Sequence, residues 1–279
     1  MSLEDDRVIV AARAAVDVAA RCGVQCASPR LLHHSNHIVW HLAPAPIVAK
    51  VAVVSSHRGA ASLARELEVA RFLAARNAPT TRPSCVVPAG PHQARGAVVS
   101  LWEYCVHDAR AEVDAGSAAR AFAEVHGALA GYDGLLPPFT IPIEGAGRIL
   151  ADHPLPALAP EDRAFLKGTH RRLSAALAGR PLAMRPLHGD AHLGNVLATP
   201  AGPRWTDFEA ACLGPVEWDL ASLGEDALDP SVHLDRDLLE LMGRLRSLCV
   251  AAWCWTKPDR APELREAAEH HLHRLQAHG

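Results

Sequence analysis

Residues 187–197 read Leu-His-Gly-Asp-Ala-His-Leu-Gly-Asn-Val-Leu. One carboxylate, Asp190, precedes one amide, Asn195, and the next polar-to-apolar alternation carries Asp207 within Trp-Thr-Asp-Phe-Glu. Pro186, Gly189 and Gly194 break helix, so 187–195 is expected as a loop, with 196–198 and 204–208 as a small hairpin turning around 200–203. Such a hairpin brings Asp190, Asn195 and Asp207 from two sides toward one cation. In-line phosphoryl transfer needs little covalent help from a protein. It needs the transferred group held still and its charge neutralised, and two carboxylates and an amide in this order supply the means.

Outward from this stretch, composition narrows the setting. The chain has 279 residues, enough for one large domain or two lobes with a sizeable core. It is 49% apolar and 21% charged, as a folded globular protein is, and a net charge of −3 gives no electrostatic case for a nucleic-acid or anionic-membrane partner. Residues 1–7 are acidic where a signal peptide would be basic, and no long uncharged apolar run occurs, so a cytoplasmic protein is expected. The seven cysteines are irregularly spaced. They read as reduced thiols, Cys22 and Cys26 lacking the second pair that a metal site would need.

Toward the N-terminus, Val8 to Arg21 repeats apolar residues at helical spacing and stops at Gly23, a glycine C-cap. Two apolar runs, 37–42 and 47–54, are split by Pro44 and Pro46 and read as a strand pair. The second carries one charge, Lys50, within Ile-Val-Ala-Lys-Val-Ala. A lysine in a buried strand needs a partner, because an unpaired buried charge is expensive; on an edge strand it would only blunt aggregation. The helix that follows, 59–76, favours the first reading. At 100° per residue Leu63, Val69, Ala70 and Leu73 all lie within about 60° of Glu66, which is therefore centred on the apolar face, while Glu68 lies on the solvent side.

Further strands are expected at 84–87 and 97–102, the second ending in Leu-Trp-Glu-Tyr-Cys, and a helix at 115–130. The Pro- and Gly-rich 131–160 allows a short helix at 144–151, and another runs from Pro160 to Ala178. Gly-Pro-Val-Glu-Trp-Asp (214–219) starts a helix with Pro215 near its first position. Amphipathic helices at 234–255 and 261–278 close the chain. The histidines at 33, 34, 37, 41 and at 270, 271, 273, 278 read as surface composition.

The order His-Gly-Asp, four residues, Asn, then Asp-Phe-Glu resembles the protein-kinase series His-Arg-Asp, Asn, Asp-Phe-Gly, with Gly189 at the Arg position and Glu209 at the last Gly. In this form it is similar to the aminoglycoside phosphotransferase and choline kinase family, kinase-like proteins acting mostly on small molecules. The resemblance spans about residues 36–223. It implies an α+β, two-lobe protein-kinase-like fold, with a small antiparallel β-sheet lobe (1–103, nucleotide-binding) and a larger, mainly helical lobe (104–279, with catalytic loop, metal site and acceptor binding). It implies ATP as phosphoryl donor, Mg²⁺ as cofactor and a small hydroxylated molecule as acceptor, such as an aminoglycoside, amino alcohol or sugar. By the same resemblance Asp190 is the catalytic base, Asn195 and Asp207 hold magnesium, and Lys50, oriented by Glu66, reaches the α- and β-phosphates. Glu103, Tyr104 and Cys105 fall where a connecting segment reads the adenine edge through its backbone. Ser35 and Asn36 take the phosphate-loop position, without its Gly-x-Gly. His188 and Asp219 brace the catalytic loop.

Two other functions fit parts of the pattern. His188, Asp190 and His192 alternate like metallohydrolase ligands, although such a site needs three or more N or O ligands around an open position. A catalytically inactive, nucleotide-binding kinase-like module is the other, and the presence of all five residues, Lys50, Glu66, Asp190, Asn195 and Asp207, weighs against it.

Overall fold

A computed structural model describes residues 3–34, 37–53, 57–108, 110–223, 234–258 and 262–277. In chain order the elements are α1 (Leu3–Arg21), β1 (Cys26–His34), β2 (Ile38–Pro44), β3 (Ile47–Ala52), α2 (His57–Ala74), β4 (His92–Ala94), β5 (Ala97–Glu103) and α3 (Ala115–Leu129). There follow α4 (Ile141–Asp152), α5 (Pro160–Leu177), β6 (Arg185–Leu187), β7 (Val196–Thr199), β8 (Gly202–Trp205), β9 (Cys212–Gly214), α6 (Val216–Leu220), α7 (Arg236–Cys254) and α8 (Pro262–Ala277). They form two compact units, Met1–Leu135 with His192–Ala211, and Leu136–Ala191 with Cys212–Gly279.

The first unit is built on a five-stranded antiparallel sheet in the order β1-β2-β3-β5-β4. α1 lays one stripe on it: Ala11, Ala14, Ala15, Val18 and Ala19 recur at helical spacing, are fully buried, and share a core with Ile38, Leu42, Ala49, Val51 and Leu101. The helix stops at Gly23, whose φ of +73° allows Val24 N–H to reach back to Ala19 O at 2.8 Å. The hairpin β7–β8 joins this unit through Trp205. Its ring is fully buried, lies 4.4 Å from that of Phe122 and donates from Nε1 to Ala118 O, while its backbone pairs with 79–81.

Three details depart from the sequence expectation. The segment 84–87 is a turn, not a strand, because Ser84 Oγ accepts from Val87 N–H between two prolines that offer no ladder donor. The outer strand is β4 instead, hairpinned to β5 through Arg95 and Gly96, both at positive φ. The segment before His37 contains the long strand β1, which has no apolar alternation to read: it is a sheet edge, carries Pro29, and none of its residues is buried. β6 and β9, three residues each, were also too short to signal themselves.

The second unit is mainly helical. α7 contributes Leu238, Leu241, Met242, Leu245 and Leu248 to a core shared with Ile143, Ala146 and Leu150 of α4, Leu166 and Leu173 of α5, and Ala268, Leu272 and Leu275 of α8. The short β6–β9 ladder holds the start of the 187–191 segment, Leu187 pairing with Cys212. The α+β class and the division into an antiparallel-sheet part and a helical part are thus those expected. Among the described residues no helix is long and apolar enough to cross a membrane.

Candidate active site

Lys50 sits on β3, third of the five strands and paired on both sides, with Val39 on β2 and Ser100 on β5. The edge-strand reading of this lysine is therefore excluded. Glu66 is 1% exposed on the apolar face of α2, beside fully buried Leu63, Val69, Ala70 and Leu73, whereas Glu68 is exposed. Lys50 Nζ donates to Glu66 Oε1 and Oε2 at 2.9 Å each and to Asp207 Oδ1 at 2.7 Å. Burial alone would push the lysine's pKa down, but the carboxylates of Glu66, Asp207 and Glu209 outweigh it and hold the ammonium well above its ordinary value. Burial raises the Glu66 carboxyl, and Lys50 pulls it back.

Asp207 reaches the lysine from the far end of the β7–β8 hairpin. Its backbone is left-handed, φ 69° and ψ 56°, a conformation that Asp tolerates better than most residues. It precedes a single 3₁₀ turn over Phe208–Ala210, fixed from α2 by Arg65, whose guanidinium donates to the Glu209 carbonyl. Asn195, just before β7, stands at the same open end of the hairpin, buried, its carbonyl accepting from Thr206 N–H at 2.9 Å. One tight hairpin thus presents an amide and a carboxylate side by side.

Lys50, Glu66, Asn195 and Asp207 line one cavity of about 350 Å³ with Val39, Val48, Thr81 and Trp102. Glu103, Tyr104 and Cys105 line it too. The Tyr104 ring is stacked on His41 at 3.9 Å and 9°, its N–H donates to Pro46 O, and the Cys105 carbonyl accepts from His107 Nδ1 at 2.8 Å. The cavity wall therefore combines apolar and aromatic side chains with a cation, carboxylates and an amide. Ser35 and Asn36 lie outside the described residues.

The remaining predicted residues belong to the second unit. Asp219 is fully buried and accepts from His188 N–H and Gly189 N–H at 2.8 Å each. His188 is fully buried, and its Nδ1 accepts from Asp190 N–H at 3.3 Å. That contact sets the imidazole inside the loop rather than at an open coordination position. Asp190 Oδ1 accepts from Arg246 Nη2 at 2.7 Å.

Three neighbours escaped the sequence reading. Glu209, noted there only as a departure from Gly, lies with Oε2 3.1 Å from His37 Nδ1 and 4.0 Å from Lys50 Nζ. His37 lines the cavity rather than decorating the surface. Burial and the Lys50 charge push its pKa down to about 4. Arg246 is the third. Its signal was present, since it follows Met242 by four residues on the buried side of α7, as Glu66 does on α2.

Comparison with known proteins accords with this geometry. The chain shares its fold with APH(2")-IIia in a GDP and kanamycin complex (TM-score 0.72, 14% identity, 95% of this chain and 98% of that one). It is likewise similar to the choline kinase LicA from Streptococcus pneumoniae (0.69, 14%, 94% and 99%). A third similar structure is the amicoumacin kinase hAmiN with AMP-PNP, Ca²⁺ and amicoumacin (0.69, 10%, 94% and 93%). No curated protein sequence matches the chain. The sequence model of the phosphotransferase enzyme family, APH, matches residues 34–247. With most of its length so matched and a kinase-like fold, the chain belongs to the APH phosphotransferase enzyme family.

Proposed function

We propose that the protein transfers the γ-phosphoryl group of ATP, with Mg²⁺, to a hydroxyl of a small molecule. The observation that carries this reading is Lys50, held at once by Glu66 and Asp207 in the wall of a cavity that Asn195 also lines. The donor set fits the cation. A carboxylate and an amide oxygen are hard ligands, and magnesium is usually held by one or two such groups together with substrate phosphates rather than by a full protein cage. Bound Mg-ATP supplies the transferable group and most of the charge neutralisation.

The chain's own residues divide the remaining work. Asp207 and Asn195 hold the cation. Lys50, kept ionised and fixed by Glu66, binds the α- and β-phosphates. The segment 103–105, in the cavity wall, receives the base, and Ser35 and Asn36 are assigned to the phosphates. Asp190 orients the acceptor hydroxyl and takes its proton, while Asp219 and His188 keep the loop in shape. Residues 1–103 form the nucleotide-binding lobe in this reading, and 104–279 carry catalysis and acceptor binding. A nucleotide donor suits the cytoplasmic setting expected from the sequence.

The acceptor is a small hydroxylated molecule of the amino-alcohol or aminoglycoside kind. The support is that relatives sharing the fold are a kanamycin complex, a choline kinase and an amicoumacin kinase. ADP release from Mg-ATP over a panel of aminoglycosides, amino alcohols, sugars and macrolides tests this. Release that depends on one acceptor class and disappears in Asp190→Asn is the expected result. ATP binding without release from any acceptor would defeat the transferase reading in favour of an inactive module.

A further inference from the structure

The loop that carries Asp190 is fixed from α7 by one mostly buried cation. Arg246 Nη1 donates to the Gly189 carbonyl at 3.1 Å and Nη2 to Asp190 Oδ1 at 2.7 Å. The guanidinium carbon lies 5.0 Å from the centre of the Trp218 ring, and Trp218 Nε1 donates to the same Gly189 carbonyl at 3.1 Å. The Arg246 side chain is 12% exposed, whereas that of Asp190 is 49% exposed. The pair is thus asymmetric: the cation is desolvated and anchored, and its carboxylate partner stands half in solvent.

An exposed ion pair contributes little to folding, and burying a guanidinium is costly. The backbone of the loop is already held by other means, with Asp219 on two N–H groups and Trp218 on the carbonyl. What Arg246 adds is a restraint on the Asp190 side chain itself. We propose that Arg246 is the positioning residue of Asp190, holding the carboxylate in one rotamer before an acceptor arrives. This rests on the reading of Asp190 as the proton acceptor. The planar fork is needed because it engages a carbonyl and a carboxylate together while lying against an indole, which a lysine ammonium cannot do.

Misplacement of a reacting group by about 1 Å costs on the order of 10²-fold in rate. Arg246→Ala should therefore lower kcat by about that factor with the KM for ATP unchanged, and millimolar ethylguanidinium should restore part of it. Arg246→Lys should retain more activity than Arg246→Ala yet stay below the wild type. The double variant Asp190→Asn/Arg246→Ala should be no slower than Asp190→Asn alone, since both act through one carboxylate. Wild-type kcat in Arg246→Ala beside an inactive Asp190→Asn overturns the inference and leaves the function standing, as does a loss that ethylguanidinium does not touch. Full turnover by Asp190→Asn instead overturns the role on which the inference rests. Should Arg246→Ala fail to fold, Arg246→Lys decides: reduced kcat at unchanged KM for ATP supports the inference, and wild-type kcat overturns it.

Discussion

Lys50 Nζ meets both carboxylate oxygens of Glu66 at the same 2.9 Å, within a unit where both residues are buried. A pair of this kind contributes less to stability than its geometry suggests, because both ions lose their water. Breaking it from one side is far worse, as it strands a buried charge. Lys50→Met alone should cost about 3–5 kcal/mol, whereas Lys50→Met with Glu66→Leu should recover most of that stability and still fail to turn over. Urea unfolding beside ADP release checks both halves, and a double variant that regains activity would remove the pair from catalysis.

Asp207 has two partners to serve, the lysine in this structure and the cation in the proposed function. Asp207→Ala should leave an ATP affinity that no longer responds to magnesium. Titrating nucleotide with and without Mg²⁺ reads this directly, and an unchanged magnesium dependence would count against the whole site.

How much of this was legible beforehand follows from which residues carry a periodic or ordered signal. Glu66 could be placed because a charge centred on an apolar helical stripe has no bland explanation, and Lys50 because the strand around it is apolar on both faces. The order of Asp190, Asn195 and Asp207 was visible because the loop and hairpin are local in sequence, so spacing alone constrains them. β1 was not visible, since an edge strand of partly exposed residues has no alternation. The contacts of His37 with Glu209 and of Arg246 with Asp190 join residues far apart in the chain. Nothing in either segment alone announces them, although Arg246 on the inner side of α7 offered the same clue that revealed Glu66.

His271 offers a pH test away from the site. On α8 its imidazole is pushed down to about 4 by burial, then by His270 and the positive charges of Arg274 and Arg246. Unfolding returns it to the ordinary value of 6.5. Between these values the unfolded chain binds the extra proton, so this contribution is fully present above 6.5 and is lost progressively as pH falls toward 4. His37 is depressed through the same window, so His271→Gln should make the fall in melting temperature between pH 7 and pH 5 shallower without abolishing it. Superimposable profiles for variant and wild type would show that His271 does not titrate on unfolding.

Asp219 accepts two backbone N–H groups, of His188 and Gly189, with no exposure to solvent. A carboxylate can do this because both of its oxygens are acceptors, and an amide cannot, because one of its two atoms is a donor. Asp219→Asn therefore turns an –NH₂ toward a buried N–H and leaves one donor unsatisfied, at a cost of about 1–3 kcal/mol. The loop segment whose amides lose their acceptor is the one that carries Asp190, so kcat should fall while the KM for ATP, assigned in the proposed function to residues of the other unit, stays near the wild-type value. Thermal unfolding and steady-state kinetics on the same preparation separate the two effects. Lost stability with unchanged kcat would make Asp219 a purely structural residue and free the Asp190 loop from dependence on it.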